Sequence, residues 1–347
     1  MAVTYKCPKC GSSMEYNGEL GKMACDHCGN TMTVEELEQA NGVQEEFIKD
    51  HEERTYKTAD FKEYHCPNCG AELLTDEHTS ATICSFCGSP GLLEDRLTGA
   101  VEPTQVIPFR ITREQAVARF RKWTKNGMLT PRDFTSTNTI EKITGMYVPF
   151  WLYDYDTDVR MTAHCTRVRV SRKGDMEYTY TDHYEVYRDV SCQYEKIPAD
   201  ASEKMEDGLM DSLEPYQYQE LKEFEMPYLS GYLSEKYSYT AEQLQERARS
   251  RARNYAFSEA RGTIAGYSTV NVVDRWIGIK EKGEEYVLLP VWMLNYRYKG
   301  RNYQFTLNGQ TGKIIGKLPV SGGKAAAWFG TILAVVFVAA SLIGGLL

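Results

Sequence analysis

A chain of 347 residues with a net charge of −8 is long enough for two or three domains with at least one sizeable core. Its acidic balance gives no electrostatic reason to expect a nucleic-acid partner, because such domains usually carry a basic face. Residues 1–6 hold no apolar run, which excludes a secretory signal there.

The first elements are two copies of one pattern. Cys7-Pro8-Lys9-Cys10-Gly11 is closed by Cys25-Asp26-His27-Cys28-Gly29, and Cys66-Pro67-Asn68-Cys69-Gly70 by Cys84-Ser85-Phe86-Cys87-Gly88. Both copies leave 14 residues between their CxxC pairs and recur at an offset of 59, with Tyr5 and Tyr64 two residues ahead. Modules this small cannot fold on a hydrophobic core, so metal must supply their stability. Between them, residues 31–65 hold ten acids against four bases, a solvated acidic connector. Within it, Thr33-Val34-Glu35-Glu36 is a capping box that opens a short helix ending near Asn41-Gly42. A second polar run follows to about Asp60 and reads as helical.

Composition changes after Gly91. Val106-Ile107-Pro108-Phe109 reads as a strand end. Thr112, with Gln115 three residues on, caps a helix that buries Ala116, Val117, Phe120 and Trp123 and stops at Asn126-Gly127. Tyr147 through Tyr153 starts a β region, and residues 159–171 and 176–190 alternate around Arg172-Lys173-Gly174-Asp175, a hairpin signal. The Glu-rich passage 199–225 reads as a connector containing a helix. Thr240, with Gln243 at the third position, caps a long helix to about Ala260. Leu289 to Tyr296 opens another β region, followed by Tyr303 to Leu307, the turn Asn308-Gly309, and Ile314-Ile315. The Pro-x-Trp pairs Pro149/Trp151 and Pro290/Trp292 stand 141 residues apart, and Tyr155 matches Tyr296. Together with the two Thr-x-x-Gln caps, this reads as a diverged duplication.

Residues 325–347 carry no charge. As a helix they would reach about 35 Å, enough for a bilayer core. Lys313, Lys317 and Lys324 precede them, which by the positive-inside rule places the N-terminal domains in the cytoplasm of a single-pass, tail-anchored cell-membrane protein. The alternative is a buried core helix.

Four thiolates in two knuckles fit a closed tetrahedral Zn²⁺ site. The expected ligands are Cys7, Cys10, Cys25 and Cys28 for one ion, and Cys66, Cys69, Cys84 and Cys87 for a second. Mononuclear iron is the runner-up. Disulfides disagree with cytoplasmic placement, and a redox CxxC would need a βαβ context. The modules resemble zinc ribbons of transcription-factor and rubredoxin-like proteins. The whole order, down to the Tyr303-to-Lys313 hairpin and the charge-free tail, resembles a family of bacterial zinc-ribbon membrane proteins of uncharacterised function. A helicase reading fails because no GxxxxGK[ST] is present. Gly309-Gln310-Thr311-Gly312-Lys313 is too short and puts Ile314 where the hydroxyl belongs. Its hairpin is similar to those of PepSY-type domains.

Three further constellations remain. Arg247, Arg249, Arg251, Arg253 and Arg261, with Tyr255 and Phe257, could line phosphates, but Glu242, Glu246 and Glu259 share the helix, which reads as a solvated face. A hairpin symmetric about Lys173-Gly174 would face His164 to His183, a second metal or pH-sensing site, and Cys165 to Asp182. Cys165 and Cys192 read as small buried hydrophobes. No complete catalytic motif appears.

The expected architecture is α+β: zinc ribbon 1 (1–32), an acidic helical linker (33–63), zinc ribbon 2 (64–92), an α+β unit (100–198), a connector (199–225), a second α+β unit (226–320) and a transmembrane helix (325–347), with antiparallel sheets in the duplicated body. The expected function is an adaptor whose ribbons recruit a cytosolic or membrane protein. The alternatives are a membrane-tethered nucleic-acid-binding protein and an enzyme with its site between the α+β units.

Overall fold

The computed structural model describes residues 2–41, 61–65, 72–76, 79–83, 90–93, 102–131, 134, 143–298 and 301–344. At the N-terminus, β1 (Ala2–Val3) precedes a three-stranded antiparallel sheet of β2 (Glu15–Asn17), β3 (Lys22–Ala24) and β4 (Thr31–Met32). α1 (Val34–Asn41) follows. Its capping box is formed: the Thr33 N–H donates to Glu36 Oε2 at 2.8 Å and the Glu36 N–H to Thr33 Oγ1 at 3.1 Å. β5 (Phe61–His65) pairs with β6 (Glu72–Asp76), and β7 (Thr79–Ile83) with β8 (Pro90–Leu93), which also takes β1. The second polar run of the linker lies outside the described residues.

The body adds β9 (Gln105–Val106), α2 (Arg113–Asn126), β10 (Thr144–Lys173), β11 (Met176–Asp200), α3 (Asp207–Leu213), β12 (Lys222–Glu223), β13 (Leu233–Glu235), α4 (Ala241–Gly262), β14 (Thr269–Tyr298), β15 (Arg301–Asn308), β16 (Ile314–Gly316) and α5 (Gly322–Gly344). Both long helices begin at the expected Thr-x-x-Gln boxes. Among the described residues, eleven strands form one hydrogen-bonded set. The set is mixed, where antiparallel sheets were expected, because β10 pairs in parallel with β13 at Met146/Leu233 and Tyr147/Ser234. The segment 227–232 is held by the N-terminal ribbon, and the chain leaves it directly into β13. β14 starts 20 residues earlier than its aromatic core implies (Thr269 against Leu289), because residues 269–288 lack the strict alternation that marks a half-buried strand.

Two compact units result, and the chain weaves between them. The first contains Met1–Val148, Lys204–Lys236 and Leu288–Leu347; the second contains Pro149–Glu203 and Tyr237–Val287. In the first, the Trp292 indole N–H donates to the Ile111 carbonyl, one residue ahead of the α2 cap Thr112, at 2.8 Å. In the second, the Trp151 indole donates to the Tyr239 carbonyl, one residue ahead of the α4 cap Thr240, at 2.9 Å. Trp292 therefore holds the start of α2, and Trp151 the start of α4. The first unit's core is aromatic: Phe109 stacks on Tyr232 at 4.0 Å and meets Trp292 edge-on at 5.2 Å. In the second, α4 turns Ala248, Ala252, Ala256 and Ala260 inward, all fully buried, and packs on Val159, Met161, Ala163, Cys165 and Val186.

The C-terminus corrects an expectation. α5 is tied at its start to the first unit, with the Ser321 N–H on the Leu129 carbonyl at 2.8 Å and Lys324 Nζ on the Thr130 carbonyl at 2.6 Å. Among the described residues no helix is long and apolar enough to cross a membrane. The transmembrane helix, the tail anchor and the single-pass cell-membrane location with cytoplasmic domains all fall with it.

The β10–β11 hairpin corrects another. Its two turn residues are Gly174 and Asp175, closed by Lys173/Met176. Gly174 has φ of 65°, and the first position of a two-residue turn with that φ selects glycine. Glycine is therefore first in the turn and not second, which moves each partner by two residues. His164 faces Glu185, His183 faces Thr166, and Cys165 faces Tyr184. The two histidines share a face as diagonal neighbours and both are exposed.

Candidate metal centre

The first cysteine module folds as two matching knuckles. Gly11 and Gly29 donate their N–H groups to the Cys7 and Cys25 carbonyls at 2.8 and 2.9 Å, and both glycines take positive φ, 74° and 70°. The Cys7 and Cys25 N–H groups close the other side on Ser12 and Asn30 at 2.7 and 2.9 Å. Each turn thus aims two sulfurs at one point. Cys7 and Cys25 are buried, whereas Cys10 and Cys28 sit at exposed tips.

The four Sγ atoms lie within 4.8 Å of one another; Cys7–Cys28 are 3.6 Å apart and Cys10–Cys25 3.5 Å. A tetrahedron with Zn–S bonds of about 2.3 Å requires sulfurs about 3.8 Å apart, so the donor set fits that metal and the cluster fits a zinc ribbon. Asn30 Nδ2 donates to Cys7 Sγ at 3.8 Å, an outer partner of the kind that orients a ligand. The backbone and hydroxyl of Ser12 hold the Cys10 thiol down to about 6. Cys28 accepts a hydrogen bond from the Asn30 backbone, which lowers its pKa, yet the neighbouring Cys10, Cys7 and Cys25 thiols push it up to about 12. Four such groups cannot all ionise without a cation among them. A bound dication would supply that charge and, with it, the stability a module this small cannot draw from a core. His27 is exposed and stays out of the set, as expected.

The ribbon is keyed into the first unit through β2. The Tyr16 N–H donates to the Ser230 carbonyl at 3.1 Å, Ser230 Oγ to the Met14 carbonyl at 2.7 Å, and the Tyr232 hydroxyl to the Tyr16 carbonyl at 3.3 Å. The Tyr16 and Tyr228 rings meet edge to face at 5.1 Å. At Gly18 the approach is so close that a β-carbon would stand 2.2 Å from the Phe109 carbonyl oxygen. Met14 and Met23 are fully buried. Nothing in the Met226-to-Tyr232 sequence names Tyr16 as its partner, so these contacts were not legible from the residues.

The other candidate residues divide clearly. Cys66, Cys69, Cys84 and Cys87 lie outside the described residues, so one four-cysteine cluster is shown. Cys165 is buried, as expected, but Cys192 is only partly so, and burial pushes its thiol up. On α4, Arg249 and Arg253 reach Glu246 at 3.7 Å each, and Arg251 bonds the Pro198 carbonyl at 2.6 Å, so these arginines have protein partners. The Asn308-to-Lys313 loop is a structural tie. The Asn308 side chain accepts from the Gln310 and Thr311 N–H groups at 2.9 Å each and donates to the Leu213 carbonyl at 3.1 Å, and Gln310 bonds Gln217 and Glu220. The cleft between α2 and β14–β15 is lined by Ala116, Phe120, Trp292, Leu294, Phe305 and Leu307, with Thr306 its lone polar neighbour.

Comparison with known proteins gives one informative relative. The chain is 48% identical over 343 residues to the uncharacterized protein YdjG of Bacillus subtilis (strain 168), covering 99% of this chain and 98% of that protein. No family model and no solved structure matches the chain. At that identity and coverage, the chain belongs to the family of YdjG.

Proposed function

We propose that this protein is an adaptor in which Zn²⁺ holds the ribbon of Cys7, Cys10, Cys25 and Cys28 as a rigid recognition knob. By the repeated spacing, Cys66, Cys69, Cys84 and Cys87 hold a second Zn²⁺. The observation that carries the reading is the two-sidedness of the first ribbon. Met14, Tyr16 and Met23 are buried, while the knuckle tips at Lys9 and His27 and the hairpin residue Leu20 face solvent, Leu20 being 54% exposed. A closed four-thiolate site leaves the metal no open position for substrate, so its contribution is to shape that outer surface. A small aliphatic and charged tip of this kind suits a protein contact.

The test places a photo-crosslinking amino acid at Leu20 or Lys9 of the full chain in its host cell. The expected product is one discrete protein adduct, lost when Cys10 and Cys28 become serine. Adducts to nucleic acid alone, or an adduct pattern indifferent to the cysteine change, would refute the adaptor. Metal analysis of the purified chain should return two zinc ions per chain; a single zinc, or iron, would sink that part.

A further inference from the structure

The outer end of the β10–β11 hairpin has no cover among the described residues. α4 reaches only as far as Cys165 and Val186, and beyond them every residue from 167 to 181 is exposed. β10 pairs with β11, β13 and β14, whereas among the described residues β11 pairs with β10 alone. Every second N–H and C=O along its free edge therefore points away from the sheet. Natural edges are protected by charged side chains, lysine above all, by proline or by a bulge; residues 176–190 contain no lysine, no proline and no break in register, and the two carboxylates between residues 176 and 184, Glu177 and Asp182, are each paired to an arginine of β10. Met176, Tyr178, Tyr180 and Tyr184 share one face and are 62, 39, 53 and 38% exposed.

We infer that this edge pairs with a second copy of the chain, antiparallel across a two-fold axis at Tyr180. The register follows from side-chain complementarity. The turn is closed by the hydrogen-bonded pair Lys173/Met176, so the odd-numbered residues of β11 carry the outward groups, and odd must oppose odd. With the axis at Tyr180, Thr179 opposes Thr181, Glu177 opposes His183, Tyr178 opposes Asp182, and Tyr180 meets itself. The Thr–Thr and Tyr–Tyr pairs are favourable across strands, the Glu–His pair adds a carboxylate facing an imidazole, and no like charges meet between residues 177 and 183. Moving the axis to residue 181 sets Glu177 against Glu185, and moving it to 182 sets Asp182 against itself. Arg172 and Arg169 bond one oxygen each of Glu177 and Asp182, at 3.0 and 2.8 Å, which leaves the second oxygen of each carboxylate for the partner copy. The Tyr180 pair falls at a non-hydrogen-bonded position, where α-carbons stand about 4.5 Å apart, within disulfide reach.

The experiment uses the full chain carrying Tyr180→Cys or Tyr178→Cys under mild oxidation, read on a non-reducing gel against the unsubstituted chain. Tyr180→Cys should give a covalent dimer. Tyr178→Cys should stay at background, since its two copies would be about 14 Å apart along the strands. His183→Glu, at an exposed position, should weaken the dimer at least fivefold in sedimentation, with the hairpin's own amide protection unchanged. Equal crosslinking at 178 and 180, a dimer indifferent to His183→Glu, or a monomer at tens of micromolar would each overturn the assignment.

Discussion

Trp292 in the first unit and Trp151 in the second make the same hydrogen bond, to the carbonyl just ahead of a Thr-x-x-Gln cap. What lies beneath the two helices differs. α2 presses Phe120 against Phe305 at 5.3 Å, while the fully buried residues of α4 are the alanines Ala248, Ala252, Ala256 and Ala260. The shared bond fixes where each helix starts; side-chain size sets how near its axis lies to the strands. The first unit also carries the four-cysteine ribbon keyed into its aromatic core, whereas the second ends in a bare hairpin. The same hydrogen bond thus serves two kinds of packing, one built on large rings, the other on close backbone approach.

The strongest way to break that comparison is to remove the metal. A structural zinc contributes on the order of 10 kcal/mol to folding its ribbon, so chelation or Cys7→Ser should abolish amide protection at Met14–Tyr16 and raise exchange across 227–232. The Ala248–Ala260 face of α4 should keep its protection. Hydrogen exchange read by mass spectrometry checks this, and equal loss in both units would show that the ribbon supports more than the unit it touches. Next come substitutions that exchange the two packing styles. Phe120→Ala should cost about 3–5 kcal/mol through the cavity it leaves, and Ala256→Leu about 1–3 kcal/mol through overpacking, both measured by denaturant titration.

Smaller effects sharpen the likeness. Trp292→Phe and Trp151→Phe each leave a carbonyl without its donor and should cost about 1–3 kcal/mol apiece; a large inequality would show that the shared bond is not equivalent in the two units. Thr112→Ala and Thr240→Ala should each cost about 1 kcal/mol through the lost cap, visible as a small drop in melting midpoint. Gly18→Ala tests the ribbon's seat separately. A β-carbon there meets the Phe109 carbonyl, so the substitution should increase exchange at Tyr16 while the zinc content stays unchanged.

The features legible from residues alone are those decided within a few positions of the chain. Both knuckles of the first ribbon, all three capping boxes, the start of α4 and the Asn308 turn depend on hydrogen bonds between groups at most five residues apart, so their residue types announce them. Glycine's freedom at positive φ likewise announced the turn at Gly174. It did not announce whether glycine stood first or second there, and that one place decided which residues face His164 and His183. The charge-free tail announced an uncharged helix, but not the ties of Ser321 and Lys324 to the Leu129 and Thr130 carbonyls. Other features depended on partners far apart in sequence. The parallel β10–β13 pair, the seating of Tyr16 on Ser230 and Tyr232 across 216 residues, and the hold of Trp292 and Trp151 on the starts of α2 and α4 are choices among many apolar surfaces of similar chemistry. Local propensity does not distinguish those surfaces. Shape and burial do, and they exist only once the chain has folded.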